Sequence, residues 1–538
     1  MDHGGIRETG KGTGVLGQIE FQAAPMNVAE AILSRGKDSV PAVVYKDTVV
    51  SHGELRQRVE QFARALLSRG HHKGDRIGIF SENNPFFVTA YLAVIRAGLV
   101  AVPFQTEVPA ETFAKIVSDA GIKSVLVSQR FGRQLKPWTE AKGVSLLTET
   151  DLQSVNGAGS LPEIDPAQDL AALMFTSGST GVPKGVMISH RNIECNTRDI
   201  VSYMQLTTDD RAMVVLPFHY CFGMSLLHTL LMAGGSVVLN NDFRLYPEPM
   251  LREMQQRECT GFAGVPSTYQ LLLRKSRFRE LPFPKLRWFQ QAGGKLPNPF
   301  IAEIIGSFPQ VRYCLMYGQT EATARLSYLP PERLNDKLGS IGQGLPSTKL
   351  EVIKPDGTAA SPGSDELGEI VARGDNIALG YWNDREETAK YFRNGRLYTG
   401  DIARVDGDGF LFIVEREREM IKSGGNRVSA KEVEDVIAEL PQVVEVAVLG
   451  VPHELLGEAI RAFVVLISGA SLKPDDVKAH CRKRLPSFKT PEEVVFLKNM
   501  PHNSSGKVLK LKLKEMNGNG SPQPDASGRK VSSARGDA

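Results

Sequence analysis

Short runs of uninterrupted apolar residues, each followed by a helix-length pattern, constrain this chain more than any other feature of its sequence. Residues 76–80, 99–102, 124–127, 212–216, 236–239, 261–264 and 288–291 read as such runs. A strand that is apolar on both faces must be covered on both faces, which parallel sheets flanked by crossover helices achieve. The longest apolar stretch, 85–104, contains Arg96 and Gly98, so it reads as a helix (86–96) turning into a strand rather than a membrane span. Near Gly339 the texture changes to short strands (349–353, 368–372, 397–405 and 410–414) separated by Pro355-Asp356-Gly357 and Asp406-Gly407-Asp408-Gly409. Those are turn sequences, and the segment reads as a compact antiparallel, barrel-like module. Beyond Arg416 the order is helix 430–439, strands 443–449 and 461–467, helix 474–484 and strand 494–497, enough for a small α+β domain.

The expected fold class is therefore α/β, with a large domain at 26–416 and a small mobile domain at 417–515. Residues 1–25 and 516–538 are rich in Gly, Ser or charge without apolar period, and are expected to be disordered. At 538 residues the chain exceeds what one core organises, in agreement with that division. A net charge of +3 gives no case for nucleic acid as a partner. Cys195, Cys221, Cys259, Cys314 and Cys481 form no C-x-x-C pair, so unbridged thiols and no structural zinc are expected. The N-terminus lacks the basic start and apolar core of a secretory signal, and a cytoplasmic location follows as the expectation.

Chemistry concentrates in a few loops. Thr176-Ser177-Gly178-Ser179-Thr180-Gly181-Val182-Pro183-Lys184-Gly185 follows the apolar run 170–175 and precedes a helical pattern beginning after His190. Hydroxyls, unencumbered N–H groups and one ammonium together suit a polyphosphate. A Walker loop is excluded, because Pro183 stands before Lys184 and Gly185 after it. Tyr317-Gly318-Gln319-Thr320-Glu321 follows another apolar run, at the strand end where ligands of open α/β sheets sit. Three further stretches draw attention: Gln291-Ala292-Gly293-Gly294-Lys295, Tyr398-Thr399-Gly400-Asp401 and Asn503-Ser504-Ser505-Gly506-Lys507.

Taken together, in this order and over about residues 27–513, these motifs resemble those of the adenylate-forming superfamily, which includes acyl-CoA synthetases, aryl-CoA ligases, luciferases and peptide-synthetase adenylation domains. The resemblance implies an AMP-forming acid–thiol ligase using ATP, Mg²⁺ and coenzyme A or the phosphopantetheine arm of a carrier protein. It assigns Thr176, Ser177, Gly178, Ser179, Thr180, Gly181 and Lys184 to the phosphates, Gly293 and Gly294 to an adenine shelf, and Tyr317 and Gly318 to the adenine side. Thr320 would bond the α-phosphate, Glu321 would hold the metal, Asp401 and Arg416 the ribose, and Lys507 would be the mobile catalytic lysine. Arg418 takes the hinge position, and Gly424 and Gly425 the pantetheine tunnel. Glu415, where the family usually has Gly, and His453, where Asp is usual, depart from the pattern.

An ionised carboxylate needs no general base to become a nucleophile; its obstacle is repulsion by the ATP phosphates. The expected catalytic group is accordingly Lys184, Thr320 and Lys507, which position and neutralise. The acid is expected to be acyl or aryl, in a pocket marked by Tyr220, Phe262 and Gly264. An amino acid is disfavoured, since 218–223 carries no acidic residue to grip an α-ammonium. Three alternatives stay open: loading of a carrier protein, luciferase-like oxidation, and a nucleotide-binding regulator without catalysis.

Overall fold

The computed structural model describes residues 27–153, 160–177, 183–414, 420–503 and 506–516. Of the termini expected to be disordered, residues 1–25 and 517–538 lie outside the described residues, as do Gly178, Ser179, Thr180, Gly181, Glu415, Arg416 and Arg418. Two large, mostly parallel sheets form the body. The nine-stranded one runs, in spatial order, Gln343–Gly344, Ser327–Leu329, Arg312–Tyr317, Trp288–Gln291, Gly261–Gly264, Arg211–Val214, Ser236–Leu239, Pro41–Tyr45 and Thr48–Ser51. Its centre is parallel and its margins antiparallel. The six-stranded sheet runs Ser145–Leu147, Ser124–Val127, Arg76–Phe80, Val100–Pro103, Leu170–Ser177 and Pro183–Ser189.

Helices that bury almost every residue fill the space between these sheets. Every residue of Cys221–Ala233 is buried. In Pro85–Arg96 the buried stretch runs from Phe86 to Ile95. The latter helix is started by Asn84, whose side chain accepts from the Phe87 N–H, and by Pro85 at its first position. It leads into Val100–Pro103, the helix-then-strand expected of this stretch. Among the described residues no helix is long and apolar enough to cross a membrane. All five cysteines are unpaired.

A third, antiparallel sheet holds Thr348–Ile353, Gly368–Gly374, Arg396–Val405, Phe392–Arg393 and Leu411–Val414, the expected barrel-like module. A fourth holds Asn426–Val428, Ile421–Ser423, Gly457–Leu466, Val443–His453 and Glu493–Leu497, backed by the helices Ala430–Ile437 and Pro474–Arg484. The apolar core under the nine-stranded sheet continues into this unit, joining Tyr269, Phe289 and Phe308 with Val433, Ile437 and Val443. Arg274 Nε donates to the Val443 carbonyl at 3.2 Å, and Lys295 Nζ pairs with Asp435 Oδ2 at 2.5 Å.

One strand went unanticipated: ahead of the expected helix, Pro183–Ser189 pairs antiparallel with Leu170–Ser177 through Thr176↔Lys184 and Phe175↔Gly185. Only then does His190–Met204 begin, capped by the reciprocal bonds of Ser189 and Asn192.

Candidate active site

The strand Arg312–Tyr317 delivers Tyr317 to the edge of the site, and Thr320–Ala322 forms a single 3₁₀ turn behind it. Gly318 allows this return: a Cβ there would lie 1.9 Å from the Ala324 carbonyl oxygen and 2.8 Å from Arg325 Cα. The Tyr317 hydroxyl donates to Asp401 Oδ2 at 2.7 Å, joining the large sheet to the antiparallel module. The next contacts form a chain. Tyr381 donates from its hydroxyl to Glu321 Oε1 at 2.8 Å, Lys184 Nζ stands 5.6 Å from the Tyr381 ring centre, and Lys184 Nζ pairs with Glu387 Oε1 at 2.7 Å. Burial and the Glu321 charge both push the Tyr381 phenol well above its usual range, so it stays a donor.

A second group meets at the start of the buried helix Cys221–Ala233. Thr320 Oγ1 donates to Cys221 Sγ at 3.4 Å. Tyr220 precedes Cys221, and a Cβ on Gly293 would lie 3.4 Å from Tyr220 Oη. Lys507 Nζ stands 5.7 Å from the Tyr220 ring centre. Burial raises the Tyr220 phenol and the Cys221 thiol, so both are neutral; for Lys507, burial works against the ammonium but Tyr220, Cys221 and Asp401 outweigh it, and its pKa is raised. Lys507 is held by its own loop: its N–H donates to Asn503 Oδ1 at 2.9 Å, and its carbonyl accepts from Asn503 N–H at 2.9 Å. The neighbouring Gly506 carbonyl accepts from Ser267 Oγ at 2.9 Å. A Cβ at Gly506 would lie 2.6 Å from Arg244 Nη2 and 2.8 Å from Val265 Cγ2, with a backbone φ of +85°.

The fold thus brings Lys184, Glu321 and Tyr381 into one group, and Tyr220, Gly293, Thr320 and Lys507 into another, with Tyr317 and Asp401 alongside. Gly294 continues the turn after Gly293, where its carbonyl accepts from Gln291 Nε2 at 2.9 Å. Three sequence expectations sit elsewhere. Phe262 is fully buried, its ring edge-on to Tyr269 at 5.9 Å, in the core beneath the nine-stranded sheet rather than at a pocket wall. Gly264 faces Thr268 and Tyr269, where a Cβ would come within 2.7 Å of Thr268 Cγ2. Gly424 and Gly425 form the turn between Ile421–Ser423 and Asn426–Val428, and Gly424 N–H donates to the Leu456 carbonyl at 2.9 Å. No hydrogen bond among the described residues ties either glycine to Tyr220, Thr320 or Lys507.

Tyr381, Glu387 and Cys221 are site neighbours that sequence reasoning missed; a Gly-Tyr-Trp cluster at 380–382 was the one local signal for the first. Behind Cys221 lies a cavity bounded by Asn196, Met224, Ser225, His228 and Thr323. His228, whose Nε2 lies 3.0 Å from the Tyr91 hydroxyl, is driven by burial to a pKa of about 3 and is neutral. A magnesium ion fits at Glu321: Oε2 takes no hydrogen bond from a described residue, and a hard cation accepts a carboxylate oxygen. Among the described residues no three His, Cys, Asp or Glu side chains form a metal cage. Such an ion would take its other ligands from phosphate and water.

Residues 33–382 match the family described as AMP-binding enzyme, and residues 432–507 match the AMP-binding enzyme C-terminal domain. The chain is 33% identical over 473 residues to a feruloyl-CoA synthase of Amycolatopsis sp, covering 87% of this chain and 94% of that one. Its fold superposes on the crystal structure of ATP-bound MatB from Rhodopseudomonas palustris with a TM-score of 0.81, at 30% identity and covering 91% and 99% of the two chains. The o-succinylbenzoate CoA synthetase of Bacillus subtilis, solved with its acyl-adenylate intermediate, gives a TM-score of 0.79 at 28% identity, covering 92% and 99%.

Proposed function

This chain belongs to the AMP-binding enzymes, and from that premise we propose how its residues divide the work of activating a carboxylic acid with ATP and passing the acyl group to coenzyme A. In the first stage a carboxylate oxygen attacks the α-phosphorus and pyrophosphate leaves, giving acyl-AMP. In the second the thiol sulfur attacks the acyl carbon, the bond to AMP breaks, and the thiol proton is released.

Lys507, beside Tyr220 and Gly293 and across from Thr320, carries this reading. An ammonium there neutralises both the entering carboxylate and the α-phosphate, whose mutual repulsion is the barrier. Thr320 donates its hydroxyl to an α-phosphate oxygen in exchange for Cys221. Lys184 and the stretch Thr176, Ser177, Gly178, Ser179, Thr180 and Gly181 hold the outer phosphates, with Glu387 releasing Lys184. Gly293, Gly294, Tyr317 and Gly318 frame the base, and Asp401 with Arg416 the ribose. Magnesium, held on Glu321, would neutralise phosphate charge. Residues 26–416 supply the nucleotide and acid sites and 417–515 supply Lys507; rotation about Arg418 would exchange it for Gly424 and Gly425 in the second stage.

We place the acid among acyl and aryl carboxylates, the acceptor as coenzyme A and the setting as the cytoplasm. The feruloyl- and o-succinylbenzoate-activating relatives and the acid-free stretch 218–223 support this. Carboxylate-dependent exchange between ATP and labelled pyrophosphate, followed by thioester assay with coenzyme A and with a phosphopantetheinyl carrier protein, is the test. Exchange with a thioester to coenzyme A is the expected result; a thioester formed only on the carrier would change the acceptor, and no exchange with any acid would make the chain a nucleotide-binding regulator.

A further inference from the structure

Arg325 is 1% exposed, yet among the described residues no carboxylate forms an ion pair with it. Its backbone is pinned from two sides: its carbonyl accepts from Asn196 Nδ2 and Asn376 Nδ2, both at 2.9 Å, and its N–H donates to Asn196 Oδ1 at 3.2 Å. The guanidinium donates from Nε to Met316 Sδ at 3.1 Å and from Nη2 to Gln290 Oε1 at 3.2 Å, and lies 4.3 Å from the Phe222 ring centre. The Tyr203 hydroxyl bonds the guanidinium as well, so its surroundings are neutral acceptors and none of them balances its charge. Gln290 is fully buried as well, and its Nε2 has no partner. Two adjacent donor groups therefore share a deep site, the charged one with no carboxylate against it and the neutral one, Gln290 Nε2, with no acceptor. The ionisable side chains nearby, Tyr203, Tyr220, Cys221 and Cys314, are all kept neutral by burial and cannot supply the missing charge.

The position bears on the reaction. Phe222, which the guanidinium faces, follows Cys221, and Cys221 touches Thr320. Gly318 packs directly on Arg325 Cα. An acid whose carboxylate meets Thr320 and Lys507 at the mouth would point its other end inward past this helix start. Resting on the reading of this site as the seat of carboxylate activation, we propose that Arg325, with Gln290 Nε2, is a specificity-determining residue that receives a second, anionic group of the acid, most simply a second carboxylate. A buried charge without a partner is costly and a buried pair far less so, so the acid itself completes the site. An apolar tail would leave the guanidinium without a counter-charge and Gln290 Nε2 without an acceptor, which is how a polar pocket rejects it.

The test is ATP–pyrophosphate exchange by the native chain on matched straight-chain and aryl acids with and without a terminal second carboxylate, repeated with Arg325→Met and Arg325→Lys. A preference of about tenfold to a hundredfold in kcat/KM for the diacids, the scale of one hydrogen bond to a charged group, is expected. Arg325→Met should reverse it, and Arg325→Lys should retain part of it. Native preference for the monoacids, left unchanged by Arg325→Met, would overturn the proposal and leave Arg325 as a pillar under Phe222. If no acid supports exchange, the ligase reading fails separately. Thermal stabilisation by the diacid alone, present in the native chain and lost in Arg325→Met, would then still support the anion site, and its absence would refute it.

Discussion

Replacing Lys507 by alanine should separate the two stages. An ammonium about 4 Å from a phosphate oxygen, in a site of effective dielectric about 20, is worth about 4 kcal/mol, close to a thousandfold in rate. Lys507 sits on an exposed loop residue held to the body through Gly506 and Ser267, so water returns part of that. About a hundredfold remains, the lower end of what one preorganised donor contributes to an oxyanion. The assay compares exchange from ATP and acid with thioester formation from chemically prepared acyl-adenylate and coenzyme A. Adenylation should fall about a hundredfold, nucleotide binding should persist, and the thioester step should be spared, because it attacks the acyl carbon and requires no charge at the phosphorus. Equal loss in both steps would refute the division of labour and make Lys507 a contact common to both.

Glu321→Gln removes the charge that balances the cation, so the magnesium concentration for half-maximal activity should rise about tenfold or more; an unchanged dependence would take Glu321 out of the metal site. Tyr317→Phe frees Asp401 from its 2.7 Å hydroxyl and should raise the KM for ATP by about tenfold through loss of orientation, read by steady-state kinetics and nucleotide titration. Glu445, buried beside His502 at 3.4 Å and facing Arg244 and Lys275, is raised by burial from 4.5 to about 7, while His502 is lowered to about 4 and stays neutral. The folded protein keeps the Glu445 proton after the unfolded chain has released its own, so stability present below 4.5 is lost as pH rises through about 7. Glu445→Gln should therefore match the native protein in acid and exceed it by up to about 3 kcal/mol above neutrality, measured by denaturant titration at both pH values.

Legibility in the sequence followed locality. The fully buried strands Ser124–Val127, Ser236–Leu239, Gly261–Gly264 and Trp288–Gln291 end where the sequence says, because short apolar-rich runs bounded by turn and polar residues mark their limits. Pro183–Ser189 was hidden because Pro-Lys-Gly opens it and its partner strand supplies the pairing that propensity lacks. Val443–His453 outruns its expected end at 449, since Gly450 and Pro452 read as breakers although hairpin pairing to Ala459 and Glu458 carries the strand on. In the site, motifs named Thr320, Glu321, Asp401 and Lys507, whereas Tyr381 showed only in its Gly-Tyr-Trp cluster, and Glu387, Gln290 and Arg325 were invisible. Their meaning lies in partners far away in sequence: Tyr381 on Glu321, Glu387 on Lys184, and Gln290 on Arg325. No spacing rule encodes such pairs.

Gly506 sets a tolerance on the docked small domain. Its α-carbon faces Arg244, Val265 and Ser267 so closely that not even a methyl group would clear them. A joint that close has little useful halfway position, since a gap of about 1 Å already stretches the hydroxyl contact of Ser267 and forfeits about a quarter to a half of the dispersion attraction. If the small domain moves as proposed, the lysine one residue on should be delivered or withdrawn as a unit, with intermediate placements scarcely populated. On the proposed mechanism, fit of this kind would make the step digital: the reaction would be gated by whether the latch is home, and its pace by how often it goes there.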